Sequence, residues 1–150
     1  GGRGGRRGVA GAWHARAVLW VGDSDNANPE SVGAASDVLA VRAGPGLLVG
    51  GEMGEVGNEG PRLHAEVGDD ARERGIEVLY GLGEMTALAV AQFGGGRHFA
   101  DIDALNTATL ETLPRLASVL VKGSRFMKME RVVQAITACV QQNKEQTHAA

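Results

Sequence analysis

Residues 47–57, LLVGGEMGEVG, begin the repeating unit of the predicted fold: a short apolar run and a glycine-rich turn, followed by a helical pattern over about residues 58–74. Similar apolar runs occur at residues 17–21, 78–80, 98–99 and 119–121, and further helical patterns occur at about 29–41, 84–92, 103–113 and 126–141. Short uninterrupted apolar runs are typical of strands buried on both faces. Their alternation with helices predicts an α/β domain with a mostly parallel sheet of about five or six strands.

The composition fits one globular domain. The chain has 150 residues, of which 43% are hydrophobic and 22% charged. The single cysteine, Cys139, excludes a disulfide framework and a zinc site made only of cysteines.

The charge is unevenly distributed along the chain. Four arginines and no acidic residue precede Asp23, so the first 17 residues carry +4 and the rest of the chain is acidic. We therefore expect no nucleic-acid partner. We also expect no membrane span and a cytoplasmic protein, because no apolar run approaches ~18 residues.

The ends of the chain differ in composition from its middle. Residues 1–12, GGRGGRRGVAGA, have low complexity, and we interpret residues 1–16 as a disordered leader or linker remnant. An Arg-Gly tail for RNA is the alternative, although it lacks interleaved aromatic residues. The folded domain is predicted at residues 17–142, and the polar residues 143–150 are predicted to fray.

A polar segment, residues 22–29 (GDSDNANP), connects the first predicted strand to the first predicted helix. Asn28 is the predicted N-cap of that helix and Pro29 its first residue. Asp23, Asn26 and Asn28 then lie at a helix N-terminus, where amides and the helix dipole favour ribose- or phosphate-bearing ligands. Capping and solvation of the loop explain the same residues, so both interpretations stay open.

Two carboxylates, Glu52 and Glu55, lie on the glycine-rich turn after the second predicted strand. They could hold a cation but would repel a phosphate. No His or Asp at a matching spacing completes a metal set, so no metal site is predicted. His64 lies on the following helix, where it is either a hydrogen-bonded structural residue or a ligand contact.

Residues 81–86, GLGEMT, are the nearest approach to a dinucleotide-binding fingerprint. The third glycine of that fingerprint is missing. Glu84 also places a negative charge where a pyrophosphate would lie. The segment therefore disfavours dinucleotide binding.

The last predicted strand and last predicted helix meet in residues 119–125, VLVKGSR. Lys122, Ser124 and Arg125 form a candidate clamp for a carboxylate or a phosphate. Cations at a helix N-terminus oppose the helix dipole, and such local misfits tend to mark functional sites. No P-loop and no Ser–His–Asp or Cys–His arrangement is recognisable, so no catalytic residue is predicted in this chain.

Three of these segments together resemble the Mur ligase family, in its D-alanyl-D-alanine-adding branch. Residues 23–31 are similar to that branch's Asp-Asp-Ser-Tyr-Asn-Ala-Asn-Pro motif. Residues 51–57 with 63–68 are similar to Gly-Asp-Met-x-Glu-Leu-Gly followed by Leu-His-x-x-Val-Gly, with Glu52 in place of the family's Asp. Residues 120–130 are similar to Val-Lys-Gly-Ser-Arg-x-Met-x-Met-Glu. The order and spacing of these motifs agree over about residues 18–140.

The resemblance implies a Rossmann-like three-layer domain, the C-terminal domain of a ligase of peptidoglycan-precursor synthesis. Such a ligase adds D-alanyl-D-alanine to UDP-N-acetylmuramoyl-tripeptide. ATP phosphorylates the terminal carboxylate of the tripeptide, and the dipeptide amine attacks the acyl phosphate. By the same resemblance, Asp23, Asn26 and Asn28 face the nucleotide and the domain interface. Lys122, Ser124 and Arg125 face the substrate, and the possible loop contacts are Glu52, Glu55 and His64.

The resemblance also implies that ATP and Mg²⁺ are bound mainly by a central domain and the UDP-sugar by an N-terminal domain. Neither domain is recognisable in these 150 residues. We therefore expect the chain to act with those two domains as partners and to be inactive alone. The alternative is a stand-alone, non-catalytic module with the same fold that binds a nucleotide or a protein.

Overall fold

The computed structural model describes residues 9–13, 17–21 and 44–149; for 9–13, 17–21, 125 and 143–149 it describes the backbone alone. The strands within these residues are β1 (Val9–Trp13), β2 (Ala17–Val21), β3 (Gly46–Gly51), β4 (Val78–Leu82), β5 (Arg97–Phe99) and β6 (Ser118–Lys122). The helices are α1 (Gly60–Glu73), α2 (Thr86–Phe93), α3 (Ile102–Thr112) and α4 (Glu130–Ala149). Short 3₁₀ turns occur at Gly57–Glu59, Leu113–Arg115 and Arg125–Met127.

The described strands form one sheet in the order β1-β2-β6-β3-β4-β5. The pairs β2–β6, β6–β3, β3–β4 and β4–β5 are parallel, and β1 pairs with β2 in the antiparallel sense. Each strand from β2 to β6 coincides with a predicted apolar run to within a few residues. The predicted α/β fold with a mostly parallel sheet is confirmed.

Helices cover both faces of the sheet, because each strand buries alternate side chains in opposite directions. On one face, Leu47 and Val49 of β3 belong to a core that includes Leu105 of α3 and Ile136 of α4. On the other face, Leu48 packs in a second core with residues of α1 and α2, among them Ala71 and Phe93. The result is a three-layer domain in which α1 and α2 lie on one side of the sheet and α3 and α4 on the other.

The structure differs from the predicted boundaries near both ends of the chain. Residues 9–13, predicted as part of the disordered leader, form β1 and pair with β2 from Val9 opposite Trp20 to Trp13 opposite Ala17. This ladder uses backbone groups, which a low-complexity sequence retains, and it covers an edge that β2 would otherwise leave open. Helix α4 continues through Ala149, although fraying was predicted from residue 143. Residues 141–149 contain no Gly or Pro, so nothing in them interrupts helix propagation.

Several predictions lie outside the described residues: the helix at 29–41, with Asn28 as its N-cap, and the segment 22–29. Within the described part of the chain, no helix is both long and apolar enough to span a bilayer.

Candidate functional site

A crevice lies where β3 and β6, neighbours in the sheet, end side by side. The chain leaves β3 toward α1 on one face and leaves β6 toward α4 on the opposite face. Diverging connections of this kind mark the switch point of a doubly wound sheet, which is the usual ligand-binding position of such folds. We call residues 52–56 the β3 loop and residues 123–129 the β6 loop.

Hydrogen bonds join these loops across the crevice. The Gly54 N–H donates to Ser124 Oγ at 2.5 Å, and the Ser124 N–H donates to the main-chain oxygen of Glu52 at 3.3 Å. Ser124 is 8% exposed, so its hydroxyl is largely enclosed by the loop contact. The predicted substrate-facing Ser124 is thus also a structural link between the two loops.

Glycines at the end of β3 and at the start of the β6 loop leave room for a buried methionine beneath the crevice. A Cβ on Gly51 would lie 2.8 Å from Met129 Sδ, and a Cβ on Gly123 would collide with Met129 Cγ. Met129 itself is fully buried at the start of α4. Its side chain therefore packs over the junction of the two strands, and the glycines make room for it.

The Glu52 side chain is half-buried and reaches toward the first turn of α2. Its Oε2 accepts a hydrogen bond from the Met85 N–H at 2.8 Å. The side chain lies against Gly83, where a Cβ would come within 2.7 Å of Glu52 Cγ and where φ is +107°. The carboxylate thus takes a helix N-terminal donor of the kind that a dinucleotide pyrophosphate would use. This contact gives a second reason, besides Glu84, why residues 81–86 do not suit a dinucleotide.

His64 anchors the β3 loop from below. It is 2% exposed, its Nε2 accepts the Met53 N–H at 3.0 Å, and its Nδ1 lies 2.7 Å from the Gly60 oxygen. Because a carbonyl oxygen only accepts, Nδ1 carries the proton and the ring is the neutral Nδ1–H tautomer. Both ring nitrogens therefore make hydrogen bonds to main-chain groups of the chain itself. Of the two interpretations that the sequence left open, this geometry favours a structural role for His64.

Lys122 lies beneath the crevice rather than at its rim. Its side chain is 4% exposed and lines a cavity of about 30 Å³, on the face covered by α1 and α2. His64 and Thr86 line the same cavity. That volume is of the order of one water molecule.

The outer part of the crevice carries exposed residues on both loops. Phe126 is 60% exposed, and Glu55 and Lys128 are exposed in left-handed backbone conformations with φ of 59° and 52°. Non-glycine residues adopt this conformation at a cost of about 1–2 kcal/mol each, and such residues cluster at functional sites. The backbone of Arg125 begins the 3₁₀ turn of the β6 loop; its side chain is not among those that the structure describes.

The structure brings together the predicted site residues that it describes. Glu52 and Glu55 lie on the β3 loop, His64 lies below that loop, and Lys122 and Ser124 lie at the end of β6. Asp23, Asn26 and Asn28 lie outside the described residues. The hydrogen bonds donated by the Gly54 and Met85 amides were not predicted. Every residue except proline has a backbone N–H, so the residue type does not indicate which amide will bond at a site. In the described part of the chain, no three acidic, His or Cys side chains are grouped so as to hold a metal ion.

The fold and the crevice define a doubly wound α/β domain. Comparison with known families matches residues 9–125 to the family described as "Mur ligase, glutamate ligase domain". The chain therefore belongs to the Mur ligase family, as the three motifs had indicated.

Individual relatives agree with this assignment. The chain is 40% identical over 120 residues to the UDP-N-acetylmuramoyl-tripeptide–D-alanyl-D-alanine ligase of Escherichia coli K12, covering 79% of this chain and 26% of the relative. It is 32% identical over 125 residues to the ligase of the same name from Haemophilus influenzae, covering 79% of this chain and 27% of that relative. The chain thus spans about a quarter of the length of these curated relatives.

Solved structures share the fold. A crystal structure of MurF ligase from Thermotoga maritima, in complex with ADP, superposes with a TM-score of 0.78 at 20% identity, covering 93% of this chain and 32% of that one. A MurF structure from Acinetobacter baumannii gives a TM-score of 0.76 at 26% identity, covering 94% of this chain and 30% of the other. The first likeness concerns the fold alone, and the second agrees with the sequence relationship.

Proposed function

We propose that this chain acts as the C-terminal domain of an ATP-dependent ligase that adds D-alanyl-D-alanine to UDP-N-acetylmuramoyl-tripeptide. The observation that carries the proposal is the 40% identity to the Escherichia coli ligase of that name over 120 residues. It is supported by the position of two of the resembling motifs, residues 51–57 and 120–130, which meet at the crevice although they are far apart in the chain.

The reaction forms one amide bond. The terminal carboxylate of the tripeptide is first activated as an acyl phosphate. The amine of D-alanyl-D-alanine attacks the activated carbonyl, loses a proton, and phosphate leaves. In this scheme the crevice binds and orients the dipeptide for attack, and no residue of this chain exchanges a proton with the reacting atoms.

The β6 loop is the proposed binding element for the dipeptide. Arg125 follows Ser124 at the crevice, and a guanidinium matches a carboxylate through two parallel hydrogen bonds. Lys122, buried beneath the loop, places its amine at the same end of β6. We assign Asp23, Asn26 and Asn28 to the nucleotide and the domain interface on the resemblance alone.

The described residues are a poor fit for the phosphates of ATP and for Mg²⁺. The Met85 amide at the start of α2 is taken by Glu52, and no trio of metal-ligating side chains occurs in the described part of the chain. The proposal therefore assigns both to the central domain of the longer ligases. Since ATP and the UDP-linked tripeptide are cytoplasmic metabolites, it also places the reaction in the cytoplasm.

A chimeric enzyme tests the proposal. Residues 9–149 would replace the matching C-terminal quarter of the Escherichia coli relative, and phosphate release that depends on D-alanyl-D-alanine would be measured. We expect activity from the chimera and none from the isolated chain. A chimera that folds, as judged by circular dichroism, but releases no phosphate would contradict the ligase assignment and favour a stand-alone binding module. Phosphate release by the pure chain would refute the expected inactivity.

The dipeptide clamp is tested by Arg125→Ala in the same chimera. We expect the KM for D-alanyl-D-alanine to rise about tenfold or more, as for loss of a charged hydrogen bond. Arg115→Ala is the matched control, because Arg115 is exposed in the turn before β6, at the opposite edge of the sheet. Equal KM values for the two variants would remove Arg125 from the dipeptide site.

A further inference from the structure

Glu52 is hydrogen-bonded in two directions at the crevice. Its carboxylate accepts the Met85 N–H of the α2 start, and its main-chain oxygen accepts the Ser124 N–H of the β6 loop. We propose that Glu52 is a positioning residue, whose side-chain bond to α2 sets where the β3 and β6 loops lie relative to each other.

The side-chain bond completes the N-terminus of α2. The N-cap residue of this helix, Met85, makes no side-chain capping bond, and the first turn contains no acidic residue. An orphan N–H at a helix start needs an acceptor, and a carboxylate there is also favoured by the helix dipole. Glu52 supplies that acceptor from the β3 loop, so the position of α2 determines the position of the Glu52 side chain.

The main chain carries this constraint to the β6 loop. The two bonds described above both involve residues 52–54: Glu52 accepts the Ser124 amide, and the Gly54 amide donates to the Ser124 hydroxyl. Between them, the Met53 amide is held by the buried His64. The segment is therefore fixed to α1, α2 and the β6 loop within three consecutive residues.

The close fit of the Glu52 side chain supports a positioning role. Its Cγ lies so near Gly83 that a Cβ there would approach to 2.7 Å, so the side chain packs directly on the Gly83 backbone. Glutamate stands here where the resembling motif has aspartate, and the additional methylene is the group that packs on Gly83. Through its hydrogen bond to the Met85 N–H, this longer side chain ties the position of the β3 loop to that of α2.

Amide hydrogen exchange of the isolated chain tests the inference. In Glu52→Ala we expect the Met85 amide to exchange about tenfold faster, as for loss of a charge-assisted hydrogen bond. The Gly54 and Ser124 amides, which the Glu52 side chain does not bond, should also exchange faster and shift their resonances. Glu52→Gln keeps an acceptor oxygen and should restore all three amides.

Glu84→Ala is the matched control, because it removes an exposed carboxylate beside the same turn and should leave the Gly54 and Ser124 amides unchanged. An effect of Glu52→Ala confined to Met85 and α2 would mean a local cap only and would overturn the proposal. A failure of Glu52→Gln to restore the amides would overturn it as well, since charge rather than hydrogen bonding would then matter. If Glu52→Ala does not fold, the milder Glu52→Asp serves; unchanged Gly54 and Ser124 resonances in that variant would refute the inference.

The consequence for the ligase rests on the proposed function and is measured separately in the chimera. There Glu52→Ala should raise the KM for D-alanyl-D-alanine about tenfold relative to Glu52→Gln, whereas partial unfolding would lower kcat and leave the KM unchanged. An unchanged KM with altered Ser124 exchange would overturn a positioning role for substrate. An inactive parent chimera would contradict the proposed function, and the exchange measurements on the chain would still decide the inference.

Discussion

The contact between α1 and α2 gives a sharp test of the packing that supports the crevice. Gly68 is buried on α1, where a Cβ would collide with the carbonyl oxygen of Ala89 on α2. The neighbour is helix backbone, which cannot turn aside as a flexible side chain can. Gly68→Ala therefore forces α1 and α2 apart or shifts one of them along the other.

Two opposing effects set the size of the change. Replacing Gly by Ala inside a helix favours folding by about 1 kcal/mol through propensity. Overpacking of a tight contact disfavours folding by about 1–3 kcal/mol and occasionally more. The overlap at Gly68 involves backbone within van der Waals range, which places it at the upper end. We expect a net loss of about 2 kcal/mol in the free energy of unfolding.

Urea denaturation followed by circular dichroism measures this loss. With a urea m-value of about 2 kcal/mol/M, a loss of this size lowers the midpoint by about 1 M. Gly50→Ala is the matched control, because a Cβ on Gly50 meets no atom within 4 Å. It should leave the midpoint unchanged or raise it. A Gly68→Ala chain that is as stable as the parent would refute the claim that the two helices touch through their backbones.

Three further substitutions test other contacts by the same denaturation. His64→Ala should reduce the free energy of unfolding by about 2–3 kcal/mol, because it leaves the buried Met53 amide unpaired; a loss under about 0.5 kcal/mol would contradict the anchor. Tyr80→Phe should cost about 1 kcal/mol, since the Tyr80 hydroxyl donates to Thr112 Oγ1 at 2.7 Å in the core; an unchanged midpoint would count against that bond. Lys128→Gly should stabilise the chain by up to about 1 kcal/mol, because relief of the left-handed backbone exceeds the entropy cost of glycine; a clear loss of stability would argue against strain there.

Much of the fold could be predicted because its signals are local. The run at residues 47–49 and the runs at 78–80 and 119–121 are buried on both faces, and the structure places β3, β4 and β6 there. Strand β1 was missed because its residues, VAGAW, carry little periodicity and gain their order from pairing with β2. The full length of α4 was not predicted, because its last residues, 143–149, are mostly polar and the sequence alone does not distinguish a polar helix end from a disordered tail.

The candidate site was predictable in its location but not in its bonds. Carboxyl ends of parallel strands lie at one edge, so the segments after β3 and β6 were expected to meet. That the Glu52 carboxylate would reach α2 depends on the register of β3 with β4 and on the path left by Gly83. Neither is encoded in the spacing of residues along one segment, because both arise only when separate elements pack.

The segment from the end of β6 through the β6 loop, residues 122–129, divides into an inner and an outer half with different physical demands. In the inner half, Lys122 and Ser124 are less than a tenth exposed, and Ser124 is bonded to the β3 loop. In the outer half, Phe126 and Lys128 are exposed, and Lys128 is held in a left-handed conformation. Changes in the inner half should therefore alter stability and binding together. Changes in the outer half should alter binding with little loss of stability, because exposed side chains contribute little to the core. Comparing the two halves by urea midpoint and by KM in the chimera separates residues that hold the crevice from residues that use it.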